Sequence, residues 1–347
     1  MTRSRPTIAD VASRAGVSKG AVSFALNGRD GVSSETRDRI LRVATELGWT
    51  PSHRARSLST SRALTVGLVL ARDPRLLGSD PFFPAFIAGV ETVLAPAGYA
   101  LLLQMVPDVA AEVAAYRLLA AEGRVDGVFL CDLRVDEPRI ALLAQLPVAA
   151  VTLNRPELDS PFPAVCEDDD AAVGLLLQAL LERGHVRIAH VSGPLEFLHS
   201  RRRRQAWTDT LAAAGLPPGP LVVSDFTAAG GRAATEQLLD TATPPTAISF
   251  ANDLMAIAGL SVAHDRGLRV PEDLSITGFG GSELSAFTHP SLTTAVSDPF
   301  GWGHAAAATL LEVIRGTGSV SDICLPPLEI ALRGSTADVP RRHTSAS

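Results

Sequence analysis

Apolar residues recur with helical spacing near the start of the chain. They occupy positions i, i+3, i+4 and i+7 of one segment, as Ile8, Val11, Ala12 and Ala15. Thr7 and Asp10 have the spacing of a capping box, with Asp where Glu or Gln is usual. Because residues at these intervals share one side of a helix, the pattern predicts a short helix with a single apolar face.

A turn and two further helices are predicted after this segment. Residues 16–18 combine a glycine, which tolerates positive φ, with a valine and a serine suited to cap a helix from residue 19 to about residue 26. A third helix is expected from residue 33 or 34 to Gly48. Its buried side is predicted to consist of Ile40, Val43, Ala44 and Leu47. Two short helices joined by a glycine-containing turn predict a helix-turn-helix.

Beyond residue 63 the pattern changes to short apolar runs that alternate with helical segments. The runs predict strands at residues 64–70, 99–103, 127–130, 187–191, 221–223, 247–250 and 275–279. Helices are predicted at residues 84–97, 111–122, 171–183, 201–214, 231–239 and 253–266. Buried apolar strands separated by helices are typical of parallel sheets covered on both faces. The predicted fold class is therefore an all-α helix-turn-helix head joined to an α/β body of two doubly wound lobes.

Length and composition indicate how many domains the chain has and in which compartment it is expected. The chain has 347 residues, of which 46% are hydrophobic and 20% charged, and this length predicts two or three domains. The sequence has no run of about 18 apolar residues, and its start lacks the apolar stretch of a secretion signal. We therefore expect a cytoplasmic protein without a membrane partner.

Charge is divided unevenly along the chain. Residues 1–62 contain eleven Lys and Arg against five Asp and Glu, a net charge of +6, whereas the whole chain carries −6. The other 285 residues therefore carry −12. A basic head on an acidic body predicts that the head binds a polyanion such as double-stranded DNA, while the body avoids non-specific contact with it.

Residue types that carry enzymatic chemistry do not form recognisable motifs in this sequence. It contains no nucleophile elbow, Walker loop or dinucleotide-binding glycine motif, and His185, His190 and His199 lack metal-ligand spacing. The acidic run 167–170 precedes a predicted helix and is interpreted as capping it, with a metal site as the less favoured alternative. We therefore expect no catalytic residue, no metal and no cofactor. The cysteines are expected to be reduced thiols in a core: Cys131, Cys166 and Cys324.

Several motifs in the first forty residues keep fixed spacings. They are Thr7-Ile8-Ala9-Asp10-Val11-Ala12, Ala15-Gly16-Val17-Ser18, Val22-Ser23, Leu26-Asn27, Val32-Ser33 and Thr36-Arg37. This set resembles the opening of the lactose-repressor (LacI/GalR) family of transcriptional regulators. The resemblance implies that Lys19, Gly20 and Ala21 meet base edges in the major groove. Phosphate contacts or caps are implied for Thr7, Ser18, Ser23 and Asn27.

Phe24 stands one helical turn beyond the implied base readers. Relatives often carry a polar or basic reader there, so Phe24 either contacts a thymine methyl group or packs inside the head, and both interpretations stay open. Lys19 is the implied reader able to donate to guanine N7 or O6. Specificity is therefore expected to depend partly on the shape and deformability of the DNA.

Residues 51–62 form a separate segment that is too short to be a stable helix alone. The resemblance implies that it is the family's hinge helix. In that role Leu58 enters the minor groove as an apolar wedge, and Ala55 allows close approach. The alternative is a plain interdomain linker with Leu58 docked on the body.

Further motifs extend the resemblance over nearly the whole chain. They include Pro81-Phe82-Phe83, Glu182-Arg183-Gly184-His185, Asn252-Asp253-Leu254-Met255-Ala256, Pro290-Ser291-Leu292-Thr293-Thr294 and Arg333-Gly334-Ser335-Thr336. The body is similar to a periplasmic sugar-binding protein, which implies a ligand between two lobes. Effector contacts are implied at strand ends and the loops that follow, at Phe82, Phe83, Arg203, Phe226, Asn252, Asp253 and Gly280.

Two departures from the family concern the chemistry of the ligand. Gly280 stands where relatives commonly carry an acid that accepts hydrogen bonds from ligand hydroxyls, which argues against a simple polyhydroxy sugar bound in the usual way. Residues 201–204 are four arginines where one is expected. They are interpreted as mostly a solvated helix face, and the alternative is a pocket for an acidic or phosphorylated ligand.

Together these expectations describe an allosteric transcriptional regulator. The predicted domains are a head (1–50), a hinge (51–62), a body (63–340) and a tail (341–347), with lobe 1 at about 63–165 and 296–322 and lobe 2 at about 166–292 and 323–336. We expect a repressor that binds a palindromic operator as a homodimer and responds to a small-molecule effector, such as a sugar or related metabolite. Induction and co-repression both stay open. The alternative is a solute-binding or enzymatic α/β body with no regulatory role.

Overall fold

The computed structural model describes residues 6–26, 30–49, 62–316 and 318–339. The chain divides into two compact units, Met1–Leu64 and Thr65–Ser347. The first unit contains the predicted helical head, and the second contains the predicted α/β body.

The described part of the head folds as three helices, α1 (Ile8–Ala15), α2 (Lys19–Leu26) and α3 (Ser34–Glu46). Their inward faces form one apolar core of Val11, Ala12, Ala15, Val22, Ala25, Ile40, Val43 and Ala44. The apolar stripe that periodicity places on α1 and α3 is therefore the surface through which these short helices stabilise one another.

Polar side chains fix the ends of the first two helices. The Asp10 carboxylate accepts hydrogen bonds from the Thr7 amide at 2.7 Å and from its hydroxyl at 2.8 Å, and these donors lower the pKa of Asp10. The Ser18 hydroxyl accepts a hydrogen bond from the Ala21 amide at 3.1 Å, so it caps α2. Gly16 has a φ of 64°, the left-handed value that the turn between these helices requires.

Lobe 1 of the body is built on a parallel sheet. Its strands are β1 (Thr65–Leu70), β2 (Ala100–Met105), β3 (Gly127–Leu130), β4 (Ala149–Leu153), β5 (Ala164–Cys166) and β11 (Ile323–Cys324), in the order β11-β5-β4-β3-β1-β2. Its helices are α4 (Leu76–Ser79), α5 (Phe82–Leu94), α6 (Val109–Ala121), α7 (Pro138–Leu143) and α12 (Pro299–Arg315). Helices α5 and α12 cover one face of the sheet, and α6 and α7 cover the other.

Lobe 2 repeats this architecture with a second sheet. Its strands are β6 (Ile188–Ser192), β7 (Leu221–Val223), β8 (Ala247–Phe250), β9 (Ser275–Gly280), β10 (Thr293–Val296) and β12 (Glu329–Ala331), in the order β12-β10-β9-β8-β6-β7. Strand β12 is antiparallel to β10. The helices α8 (Asp169–Glu182) and α9 (Leu198–Ala213) cover one face, and α10 (Ala228–Leu239) and α11 (Asp253–Asp265) cover the other.

The chain passes between the lobes after β5, after β10 and after β11. The second crossing was expected within residues 292–296, but residues 293–296 pair with β9 in lobe 2 and the crossing follows them. Residues 323–324 were assigned to lobe 2, but they pair with β5 in lobe 1. These two boundaries were wrong by a few residues because strands this short leave almost no periodic signal in the sequence.

Helices α5 and α12 approach each other at two glycines. A Cβ atom at Gly89 would lie 1.9 Å from the Phe300 carbonyl oxygen, and one at Gly303 would lie 2.1 Å from the Phe86 carbonyl oxygen. No larger residue fits at either position without separating the backbones. This contact brings the start of α12, with Trp302, next to Phe82 of α5.

The cysteines are not all in the core, contrary to expectation. Cys131 is buried, Cys166 is half-buried and Cys324 is exposed, because Cys324 ends the two-residue strand at the edge of the lobe 1 sheet.

Within the described ranges, no helix combines the length and apolar character needed to cross a membrane.

Candidate functional site

The outward face of α2 carries the residues that the sequence assigns to DNA. Ser18, Lys19 and Gly20 are exposed, whereas Ala21 and Ser23 are half-buried. The opposite side of the helix is held in the head core by Val22 and Ala25. The exposed start of the second helix is the part of a helix-turn-helix that reads base edges.

Phe24 combines features of the two interpretations left open for it. Its ring lies against the turn that follows α2, where Cδ2 is 3.3 Å from the position of a Cβ on Gly31. Phe24 nevertheless remains 40% exposed to solvent. Phe24 therefore packs one edge on the head and keeps part of its apolar surface exposed.

Three predicted DNA contacts lie outside the described residues. They are Asn27, Ala55 and Leu58. The predicted hinge segment, apart from Arg62, and the predicted tail also lie outside them. Thr7 is described and exposed at the start of α1, where its hydroxyl donates to Asp10.

A cavity of about 380 Å³ separates the two lobes of the body. Its walls include every position that the sequence assigns to an effector, namely Phe82, Phe83, Arg203, Phe226, Asn252, Asp253 and Gly280. These residues come from five separate stretches of the chain, and the parallel sheets bring them together at the carboxyl ends of their strands. Their contact with an effector stays a prediction.

An arginine that was not predicted occupies one side of the cavity. Arg72 follows β1, and its guanidinium donates to both carboxylate oxygens of Asp132 at 2.5 and 2.6 Å. The guanidinium carbon lies 4.6 Å from the ring centroid of Phe197 and 5.3 Å from that of Phe226. Burial alone would raise the pKa of Asp132, but the Arg72 cation outweighs it and holds that pKa below its ordinary value.

His199 completes an aromatic stack on the same side. Its ring lies between Phe197 and Phe226, with centroids 5.6 and 5.5 Å away. Burial, followed by the nearby Arg203 cation, lowers the pKa of His199 to about 3. The imidazole is therefore neutral at physiological pH.

Arg203 is fixed by contacts within lobe 2. Its Nε donates to Asp169 at 2.9 Å, its Nη1 donates to the Ala251 carbonyl oxygen at 2.8 Å, and its guanidinium lies 3.7 Å from the centroid of Phe279. The other carboxylate oxygen of Asp169, Oδ1, is buried and has no hydrogen-bond partner among the described residues. A buried acceptor without a partner in the protein is open to a hydrogen bond from a water molecule or a ligand.

The acidic run and the arginine run each divide between two roles. Asp168 caps α8 by accepting from the Ala171 amide at 3.0 Å, as expected, whereas Asp169 lines the cavity. Arg201 and Arg204 are exposed, in agreement with a solvated face, but Arg202 and Arg203 line the cavity.

Asn252 and Asp253 position other parts of the cavity. The Asn252 side chain accepts from the Met255 amide at 2.9 Å and donates to the Phe226 carbonyl oxygen at 3.0 Å. The Asp253 carboxylate accepts from the Thr294 hydroxyl and from the Ser282 amide, both at 2.6 Å. Their hydrogen-bonding atoms are thus engaged by the protein, which fits residues that hold the cavity wall in place.

Three residues of the cavity wall have a backbone conformation that side chains rarely adopt. The φ angles are 51° at Asp132, 68° at Asn154 and 67° at Phe226. Each such residue costs about 1–3 kcal/mol, and such costs are concentrated at functional sites. The placement supports a binding role for the cavity.

Known proteins match both parts of the chain. Residues 7–52 match the model of bacterial regulatory proteins of the lacI family, and residues 177–336 match that of a periplasmic binding protein-like domain. The transcriptional regulator CelR of Thermobifida fusca is 35% identical over 319 residues, which cover 90% of this chain and 93% of CelR. The chain belongs to the LacI family.

Solved structures of the LacI family extend the match to three dimensions. A complex of CelR with cellobiose has a TM-score of 0.73 and 32% identity, and the match covers 95% of this chain and 100% of that one. The lac repressor dimer bound to operator and the anti-inducer ONPF has a TM-score of 0.84 and 27% identity, with 96% and 100% covered. This LacI-family chain is a DNA-binding transcriptional regulator and not an enzyme.

The backbone explains why Gly280 departs from the LacI-family pattern. Its φ is 119°, a value that side chains rarely adopt, and no atom lies within 4 Å of the position where a Cβ would stand. The cavity is therefore wider at this edge. Asp169, on the first turn of α8, is a carboxylate of the cavity wall that was not predicted as an effector contact, because the acidic run was interpreted as a helix cap, with a metal site as the alternative.

Proposed function

We propose that this LacI-family regulator is a cytoplasmic repressor that binds a palindromic operator as a homodimer. A small-molecule effector of the sugar class, bound between the lobes, controls it. The observation that carries the proposal is the cavity between the lobes, which is lined by every predicted effector position and by the charged pair of Arg203 and Asp169.

The cavity suits a ligand with an apolar face and several hydroxyl groups. Phe82 and Trp302 form an apolar wall, with ring centroids 5.9 Å apart, and such walls stack on the C–H face of a sugar ring. The partnerless Oδ1 of Asp169 would accept from a hydroxyl. A volume of about 380 Å³ also falls within the usual range for small-molecule sites, roughly 300–1,000 Å³.

The homodimer is supported by an apolar patch on lobe 2. Leu284 belongs to the turn at Glu283–Ala286, and Phe287 follows it directly. These two residues are 70% and 78% exposed. Leu332 is 53% exposed and precedes Arg333, whose Nη1 donates to the Ser285 hydroxyl at 2.8 Å. Because the similar lac repressor structure is a dimer, we assign this patch (Leu284, Phe287 and Leu332) to a second copy of the chain.

A thermal-shift screen with cellobiose, glucose 6-phosphate and adenosine tests the effector class. A bound ligand at about 100 times its dissociation constant adds about 2.7 kcal/mol to the free energy of unfolding. We expect a rise in melting temperature with a sugar, and its loss in Arg203→Ala but not in Arg201→Ala. A response to adenosine alone would contradict the sugar class while leaving the regulator intact.

Operator binding is tested separately with duplexes selected from random DNA. A palindromic consensus and an affinity that falls steeply with salt are expected. Leu58→Ala should weaken this binding, because the hinge wedge is predicted to bend the duplex, and it should leave the thermal shift with sugar unchanged. Selection of a single half-site without symmetry would contradict the dimeric repressor.

A further inference from the structure

Two cysteines face each other on neighbouring strands of lobe 1. Cys166 and Cys324 are paired in register between β5 and β11, and the Leu325 amide donates to the Cys166 carbonyl oxygen at 2.8 Å. Facing residues of parallel strands direct their side chains to the same side, about 4.8 Å apart. Disulfides join Cα atoms about 4.4–6.8 Å apart, so this pair lies within reach of a bond.

The pair also stands where two crossings leave lobe 1. Cys166 is the last residue of β5, and the chain continues from it into α8 of lobe 2. Cys324 is the last residue of β11, and the chain continues from it into β12 of lobe 2. A bond between the two sulfur atoms would link the two crossings at the points where they leave lobe 1.

The surroundings of the two thiols differ in a way that suits stepwise oxidation. Cys324 is exposed and Cys166 is half-buried, whereas Cys131 is buried elsewhere in lobe 1. Burial and the neighbouring Cys324 raise the pKa of Cys166, and the Arg155 cation acts in the opposite direction. Arg155 also pairs with Asp322, two residues before Cys324, so its positive charge is held beside the pair.

We propose that Cys166 and Cys324 are a redox modification site, at which a hydroperoxide forms a reversible intramolecular disulfide. The exposed Cys324 thiolate attacks one peroxide oxygen, the O–O bond breaks, and Cys324 becomes a sulfenic acid while the departing oxygen leaves as water or alcohol. The Cys166 thiolate then attacks the Cys324 sulfur and expels hydroxide, which leaves as water. Two thiols lose two electrons, and the hydroperoxide gains them.

The bond would be readily reduced again. Facing positions in a parallel ladder hold Cβ atoms about one strand spacing apart, whereas relaxed disulfides need about 3.8 Å. Strained and exposed disulfides have the higher reduction potentials typical of regulatory bonds. The oxidised protein would have two of its crossings tied together, which restricts the motion by which the lobes open and close.

The chemistry is tested with hydrogen peroxide on the full chain. We expect free thiols, counted after denaturation, to fall from the three of the sequence to one, with a mass lower by two hydrogen atoms and a peptide linking residues 166 and 324. Dithiothreitol should restore all thiols. Cys131→Ser serves as the matched control and should still form the bond, whereas Cys166→Ser and Cys324→Ser should not.

The effect on the crossings is tested by amide hydrogen exchange in oxidised and reduced Cys131→Ser. Exchange of the Leu325 and Leu328 amides, the two that the segment 325–328 contains beside its two prolines, should slow by about tenfold on oxidation, because local opening of the crossing is restrained. Cys324→Ser treated with peroxide should show no such change. Sulfinic acid at Cys324, a disulfide between two chains, or a linked pair with unchanged exchange would each overturn the proposal.

Discussion

Arg72 is a buried cation that the fold surrounds with one carboxylate and several aromatic rings. It belongs to lobe 1, as does its partner Asp132, but the rings of Phe197 and Phe226 belong to lobe 2. A single side chain therefore connects the two lobes at the edge of the cavity. Because its Nε and Nη2 groups bind Asp132, the charge of Arg72 is already paired with a carboxylate, and Arg72 shapes the cavity wall.

Arg72→Ala should lower the free energy of unfolding by about 3–5 kcal/mol, because it leaves the buried Asp132 without its partner. Urea denaturation at neutral pH measures the change. Arg201→Ala removes an exposed arginine and should stay within about 0.5 kcal/mol of the parent. Adding Asp132→Ala to Arg72→Ala should recover part of the loss, and a double variant no more stable than the single one would argue against an uncompensated charge.

Sequence reasoning identified the residue types at the cavity better than their pairings. Arg72 and Asp132 both stand just after apolar runs that were predicted as strands, so each was visible as a polar residue at a strand end. Their bond spans 60 positions of sequence and exists only because β1 and β3 are neighbours in the sheet. The order of strands carries that information, and periodicity does not reveal it.

At the scale of elements, the recognition helix α2 depends on one strong donor. Lys19 is exposed at its first turn, and Phe24, further along the same helix, is partly exposed. Lys19→Ala should weaken operator affinity by about 1–3 kcal/mol, as expected for loss of a base-edge contact, measured by fluorescence anisotropy. Arg204→Ala removes an equal charge from an exposed site on the body. An equal effect of both variants would indicate that Lys19 acts only through net charge.

Elements with a regular apolar pattern were predicted, and those held by small residues or short pairings were not. No element was predicted for α12, because the glycines and alanines at its start pack backbone against backbone on α5 and leave no wide apolar stripe. Strand β4 was also not predicted, since its short continuous apolar run is not assigned to a strand or a helix by periodicity alone. In both cases tertiary contact supplies what the local pattern lacks.

A carboxyl group with a raised pKa links two of the segments in which the chain crosses between the lobes. Glu167 follows β5, and its two oxygens accept from the Ser297 hydroxyl, which follows β10, at 2.9 and 3.0 Å. Glu167 is 8% exposed. Burial, followed by the negative charge of Asp169, raises its pKa to about 7. The folded protein therefore binds this proton more tightly than the unfolded chain does.

A raised carboxyl pKa makes folding less favourable as the proton is lost. Stability should therefore fall as the pH rises from about 4.5, the ordinary value, to about 7. Glu167→Gln should remove this dependence and raise the free energy of unfolding above pH 7 by up to about 3 kcal/mol. Urea denaturation across this range measures it, with the exposed Glu157→Gln as control. A parallel pH profile in Glu167→Gln and the parent would contradict the assignment.

At the scale of the whole molecule, the proposed repressor places two heads on one operator. A helix-turn-helix binds tightly when its dimer places two recognition helices about one helical turn of DNA apart. The sequence predicted a head and a two-lobed body from the change of periodicity near residue 63, and both are present. The patch proposed to pair two copies could not be predicted from the sequence, because Leu284 and Phe287 lie in and directly after a short turn without any repeating pattern.

Phe287→Asp should therefore weaken the homodimer, because it places a charge at the centre of the patch assigned to a second copy. Loss of a central aromatic anchor typically costs about 2 kcal/mol or more, a weakening of roughly 30-fold, which sedimentation velocity across a dilution series measures. Leu175→Asp alters a leucine on α8 that is 49% exposed and lies outside this patch, and it should leave the dimer intact. Operator affinity should fall with the dimer, since a single head retains only one half-site, while the thermal shift with sugar should persist in the monomer. A monomer that still bound the full palindrome as tightly as the parent would show that the heads, and not this patch, hold the two chains together.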